Sequence, residues 1–176
     1  MRQALLLAGL LAAGCGGRVW DLAQPIYIDV AADTPKAAMF ALGLQHAIEA
    51  TGGTVSPDKV AQRIFLIRGN DKDCKVGTVA FTDTSPGKWD TVGICDSQAL
   101  LNFSQAYADT NAGHEWLHVA AGRRDHLPCE TRAIMAAYSD CHGLVPFQPP
   151  DFEYLCSTGN VHGGRCQHEH DAAPDL

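Results

Sequence analysis

Two histidines and a glutamate stand as His114-Glu115-Trp116-Leu117-His118 in a short segment that Gly122 brings to a stop. Thr110 or Asn111 offers an N-terminal cap and Gly122 a C-terminal one, so the spacing predicts a helix over 111–121. In a helix, positions four apart share one face and are about 6 Å apart along the axis, which lets both imidazoles reach a single ion. A fold that uses this helix must cover its apolar side, Trp116 and Leu117, and return a further donor to its polar side.

Neutral imidazole is a good zinc ligand, and a carboxylate next to the first ligand can take a proton from water. In the H-E-x-x-H arrangement the glutamate is the general base and is not a ligand. Glu115 is therefore the candidate base, and His114 and His118 are two ligands for Zn2+. A catalytic zinc site has three protein ligands and an open position. His126 is the first choice for the third, because Gly122 ends the helix and lets the chain turn back. Asp125, Glu130 and His142 are the alternatives. The plainer reading makes these helix histidines paired with surface acids, and Met135 a core filler.

Around this segment the periodicities alternate. Ile26 to Val30 alternates apolar and polar and reads as a strand. Residues 36–50 repeat Phe40, Leu44 and Ala47 or Ile48 at helical spacing, behind a cap and proline at Asp33-Thr34-Pro35 and ahead of Thr51-Gly52-Gly53. Val60 to Arg68 reads as a largely buried strand, and Cys74 to Phe81 and Thr91 to Cys95 as two more. Gly69-Asn70-Asp71 and Asp83 to Gly87 carry turn chemistry. Further helices are expected over 130–138 and 151–156, with prolines between them, and then a Gly- and His-rich tail that is loose unless Cys166 pins it. The order implies an α+β domain of α/β-like character, a mixed twisted sheet packed by helices.

The N-terminal stretch has Arg2 and then an apolar run from Ala4 to Ala13, too short for an ordinary span and laid out like a secretory signal. Leu11-Ala12-Ala13-Gly14-Cys15 resembles a bacterial lipobox, in which the cysteine is lipidated and becomes the new N-terminus. That resemblance implies a signal peptide over 1–14, a lipidated start and tether over 15–24, and one domain over 25–176. The protein would then sit in the cell envelope, on the periplasmic or outer side, and would be secreted if Cys15 is not acylated. Setting Cys15 aside leaves Cys74, Cys95, Cys129, Cys141, Cys156 and Cys166. An even number without a CxxC pair suits up to three disulfides in an oxidising compartment. With 13 Lys and Arg against 20 Asp and Glu, the net charge is −7. An acidic chain with no basic stripe is a poor partner for nucleic acid.

The stretch HEWLHVAAGRRDH, continued by LPCETRAIM, resembles the zincin metallopeptidases, and within them the matrixin-like members of the metzincin clan. The resemblance implies that the active helix ends at Gly122, that His126 is the third ligand and that Met135 forms a methionine turn beneath the zinc. Tyr138, three residues after Met135, is a candidate for hydrogen-bonding an oxyanion. It also implies that a protein or peptide substrate lies along an exposed edge strand. The clan's HExxHxxGxxH differs from this chain, which has three residues before Gly122 and three more before His126. One more helical residue and a wider loop would absorb the difference. The expected activity is zinc-dependent hydrolysis of extracytoplasmic peptides, and the alternative is a noncatalytic lipoprotein using such a fold for binding or metal capture.

Overall fold

The computed structural model describes residues 18–167 apart from 71, 76, 84, 86, 89, 96–102 and 137–145. Cys15, Tyr138, Cys141 and His142 lie outside the described residues, as do the signal segment and the end of the tail.

Strands β2 (Ile26–Val30), β3 (Val55–Ser56), β4 (Gln62–Arg68), β5 (Ala80–Thr82) and β6 (Thr91–Ile94) form one mixed sheet in the order β3-β2-β4-β6-β5. The first four in that order run parallel, and β5 joins antiparallel at the edge with Thr82 opposite Val92. Parallel neighbours need a crossover, which helix α1 (Ala37–Ala50) supplies between β2 and the strands that flank it. In β4 the side chains of Ile64 and Leu66 are fully buried while Arg63, Phe65 and Ile67 on the other face are not. That alternation gives the sheet one core face, to which β2 adds Ile26 and β6 adds Val92 and Ile94. The sequence reading of a mixed sheet packed by helices in an α+β chain therefore holds.

Phe40, Leu44, Ala47 and Ile48 of α1 and Ala112, Trp116, Leu117 and Val119 of helix α2 (Gln105–Ala121) complete this core. The two helices pack so closely that a Cβ on Gly43 would lie 2.9 Å from the carbonyl oxygen of Ala108 and from Ala112 Cβ. The indole N–H of Trp116 donates to the Thr51 hydroxyl at 3.1 Å, and that hydroxyl donates to the Ile48 carbonyl at 2.8 Å. A buried hydroxyl just past the end of α1 thus satisfies both an indole and a free helix carbonyl.

Several local expectations change. Helix α1 begins after Lys36 with no side-chain cap, so Asp33 does not cap it. The strand expected from Cys74 is confined to Ala80–Thr82, because Asn70 closes a turn through its side chain and Cys74 is drawn to Cys95 in a disulfide. Over 130–136 there is no α-helix. A 3-10 turn at Cys129–Thr131 ends at Arg132 in the left-handed region, φ 53°.

Residues 18–24, read as tether, carry β1 (Trp20–Asp21), which pairs in parallel with β7 (Val161–His162). Trp20 and Leu22 are fully buried, and Trp20 meets Trp116 edge-on at 5.4 Å. Helix α3 (Pro149–Cys156) is tied to the following 3-10 turn by the Cys156–Cys166 disulfide, so Cys166 does pin this part of the tail. Cys129 is disulfide-bonded as well. These bonds fit an oxidising, extracytoplasmic setting. Among the described residues, no helix is long and apolar enough to cross a membrane.

Candidate metal centre

Helix α2 starts six residues earlier than its sequence suggests. Ser104 is the cap, accepting from the Tyr107 N–H at 3.3 Å, while Thr110 and Asn111 lie inside the helix and donate back to the carbonyls of Ala106 and Tyr107. Polar residues that signal a helix start are accommodated here by bonding one turn back. The helix runs three residues past His118 before Gly122 turns left-handed at φ 63° and donates to the His118 carbonyl at 2.9 Å.

From Gly122 the chain returns along α2. Arg123 pairs with Asp125 and donates to Ser157 at 2.8 Å, and the Tyr154 hydroxyl donates to the Asp125 carbonyl at 2.8 Å. Leu127 N–H then donates to the Met135 carbonyl at 2.8 Å. Held from both sides, His126 places its Nε2 3.2 Å from His114 Nε2 and 3.3 Å from His118 Nε2. Neighbouring donors on a tetrahedral ion with bonds of about 2.0 to 2.1 Å are about 3.3 Å apart. The two separations from His126 are close to that, and the three ligand atoms lie within 4.8 Å of one another, so the group could hold one metal ion.

The far nitrogens are also fixed. His114 Nδ1 lies 2.9 Å from the Ile134 carbonyl and His118 Nδ1 2.7 Å from the Arg123 carbonyl. A carbonyl can only accept, so each Nδ1 carries the proton and each Nε2 presents its lone pair to the cluster. Burial, then the nearby His114, pushes the His118 imidazole down to about 3. Burial likewise lowers His114, against the Ile134 carbonyl and Asp151, and lowers His126. Neutral rings are the form that binds metal. Among the described residues, His114, His118 and His126 are the group of side chains that could hold a metal ion. His126 is exposed and His118 buried, so the cluster opens on the His126 side.

The other suggested third ligands are placed elsewhere. Asp125 is exposed and engaged by Arg123, whose hydrogen bond holds its carboxyl below the usual range. Glu130 is exposed in the 3-10 turn and does not belong to the cluster. Met135 is fully buried, in the turn closed by Ala136 N–H on the Ala133 carbonyl at 3.1 Å. Glu115 is buried beside His114 on α2, and the Thr82 hydroxyl donates to its Oε2 at 2.8 Å. Burial raises its carboxyl to about 7, against the hydrogen bond from Thr82.

Sequence reasoning missed three residues around this centre. Asp151, fully buried, accepts from the N–H groups of Ile134, Met135 and Gln148 at 3.1, 3.0 and 2.8 Å, and so fixes the turn that holds His114. Its signal was Pro149-Pro150-Asp151 at the first turn of α3, where an acid reads as a capping box and nothing more. Tyr154, one turn on, and Thr82, in a three-residue strand, carried no signal. No protein-family model matches the sequence, and no curated protein matches it.

Proposed function

We propose that this chain is a zinc-dependent peptide hydrolase of the metzincin kind, with His114, His118 and His126 as ligands and Glu115 as general base. The observation that carries the reading is the gathering of three imidazoles, with His126 Nε2 3.2 Å from His114 Nε2 and 3.3 Å from His118 Nε2 and two of the rings oriented by backbone carbonyls, on a helix that also carries the buried Glu115 and on the loop that returns to it. A structural zinc site has four protein ligands and no use for a base, whereas the three donors found among the described residues, with a base on the same helix as two of them, suit hydrolysis.

Zinc held there would polarise the scissile carbonyl and lower the pKa of a nearby water. Glu115, with a carboxyl lifted toward neutrality by burial, takes the proton of the attacking water and passes it to the leaving amine. The three histidines stay neutral and keep their Nε2 atoms directed inward. Among the described residues β5 is paired on one side alone, by β6, and its outer side is the one an extended peptide would join. The methionine turn is assigned to Met135. The lipid anchor at Cys15, and with it a membrane-tethered location outside the cytoplasm, belongs to the same proposal.

The test is digestion of a proteome-derived peptide library by zinc-loaded protein, run beside Glu115→Gln. Cleavage by the first and none by the second, at equal zinc content, supports a hydrolase. Equal cleavage by both, or zinc binding with no cleavage by either, overturns it, the second outcome pointing to metal capture.

A further inference from the structure

We propose that Thr82 is the positioning residue for Glu115, joining the base to the edge strand along which substrate would lie; the inference rests on the hydrolase reading above. Thr82 is the last residue of β5, and its hydroxyl lies 2.8 Å from Glu115 Oε2 and 3.2 Å from the main-chain carbonyl of the same residue. Among the described residues it is the one hydrogen-bonding partner of that buried carboxylate. A carboxyl group on two rotatable carbons is otherwise free to swing, and a donor fixed to the sheet selects one orientation. With Oε2 engaged, Oε1 is left to accept from water.

The strand that carries Thr82 is itself locked in register. Phe81 lies across from Gly93, and its ring fills the space where a Cβ on Gly93 would stand, so β5 cannot slip by a residue without losing that fit. Just past the pair, Cys95 N–H donates to the Val79 carbonyl at 2.8 Å, and the Cys74–Cys95 disulfide joins the approach to β5 to the end of β6. A peptide added to the free side of β5 would therefore take its register from the same strand that orients the base. The distance between the base and the scissile carbonyl would then be set by one hydroxyl and not by the whole sheet.

The experiment uses the zinc-loaded full-length chain with Thr82→Val, which keeps the shape and removes the donor, and Thr82→Ser, which keeps the donor. Valine is expected to lower kcat about 10- to 100-fold, the cost of an ångström-scale misplacement, with KM and zinc content within about twofold. Serine is expected to restore kcat to within about threefold of the parent. A valine variant with unchanged kcat, or a serine variant as slow as valine, overturns the proposal.

A second measurement does not depend on turnover. In protein labelled with 13C at the glutamate carboxyls, the Glu115 resonance is the one of five that vanishes in Glu115→Gln. Thr82→Val is expected to shift it and Thr82→Ser to leave it near the parent position, and an unmoved resonance in the valine variant overturns the proposal. Should Thr82→Val not fold, Thr82→Ala replaces it in both experiments with the same expectations. If the parent cleaves no peptide while the resonance shifts as expected, the hydrolase reading falls and the Thr82–Glu115 relationship stands.

Discussion

Tyr154 on α3 donates its hydroxyl proton to the carbonyl of Asp125, 2.8 Å away, and Asp125 immediately precedes His126. The third histidine is therefore held not by its own segment alone but by a helix that begins more than twenty residues later. Removing the hydroxyl leaves a carbonyl short of a partner and the returning loop freer. Tyr154→Phe is expected to cost about 1 kcal/mol in urea denaturation and to weaken zinc binding about tenfold. Unchanged zinc affinity would show that the loop needs no such support.

Asp151 makes a heavier contribution. Its carboxylate is fully buried and takes up three backbone N–H groups, two of them in the turn whose Ile134 carbonyl orients His114. Asp151→Ala strands all three donors, and the expected loss is about 3 kcal/mol or more by urea denaturation. A loss below about 1 kcal/mol would mean that water replaces the carboxylate.

The choice of third ligand is decided by comparing variants. His126→Ala is expected to weaken zinc binding by at least about 100-fold in a chelator competition, since two imidazoles alone cannot close the site. Asp125→Ala removes only the exposed pairing with Arg123 and should weaken it by less than about tenfold, and Glu130→Ala should have no effect. A larger effect from Asp125 than from His126 would reverse the assignment.

The metal-free protein should lose stability on acidification. His118 sits at about 3 when folded against 6.5 when free, and His114 and His126 are lowered too, so between those limits the unfolded chain binds more protons. Stability present above 6.5 is thus lost as the pH falls toward 3. Glu115 opposes this, because its folded value near 7 exceeds the 4.5 of a free glutamate, and its contribution is complete below 4.5 and lost as pH rises through 7. The imidazoles and the carboxyl therefore act in opposite directions between about pH 7 and pH 5, and removing the carboxyl isolates the imidazoles. In Glu115→Gln the Tm is expected to fall between about pH 7 and pH 5, and more steeply than in the parent. A Tm of Glu115→Gln that is flat or rises on acidification contradicts the neutral cluster.

Elements whose periodicity is set by burial on one face were legible in the sequence. Ile26–Val30 and the body of α1 fall where alternation and helical spacing put them, and Thr91–Ile94, buried at every position, falls within the short strand expected over 91–95. The Gly122 stop was legible because a left-handed residue there favours glycine. The start of α2 was not, since Asp109-Thr110-Asn111 is cap chemistry that the helix interior absorbs through bonds to the previous turn. The tether reading of 18–24 failed because nothing local announces that Trp20 will pair with a strand at residue 161. His114, Glu115 and His118 could be found from spacing alone, as they share one helix. Thr82, Asp151 and Tyr154 could not, because each reaches the centre across at least sixteen residues of chain.

X-ray absorption at the zinc edge, on protein loaded with one equivalent of metal, examines the centre itself. Three imidazole nitrogens at about 2.0 to 2.1 Å with one further light oxygen donor is the spectrum this account requires, reduced to two imidazoles in His126→Ala. Four protein donors, any sulfur in the first coordination sphere, or a parent spectrum with fewer than three imidazoles would contradict it.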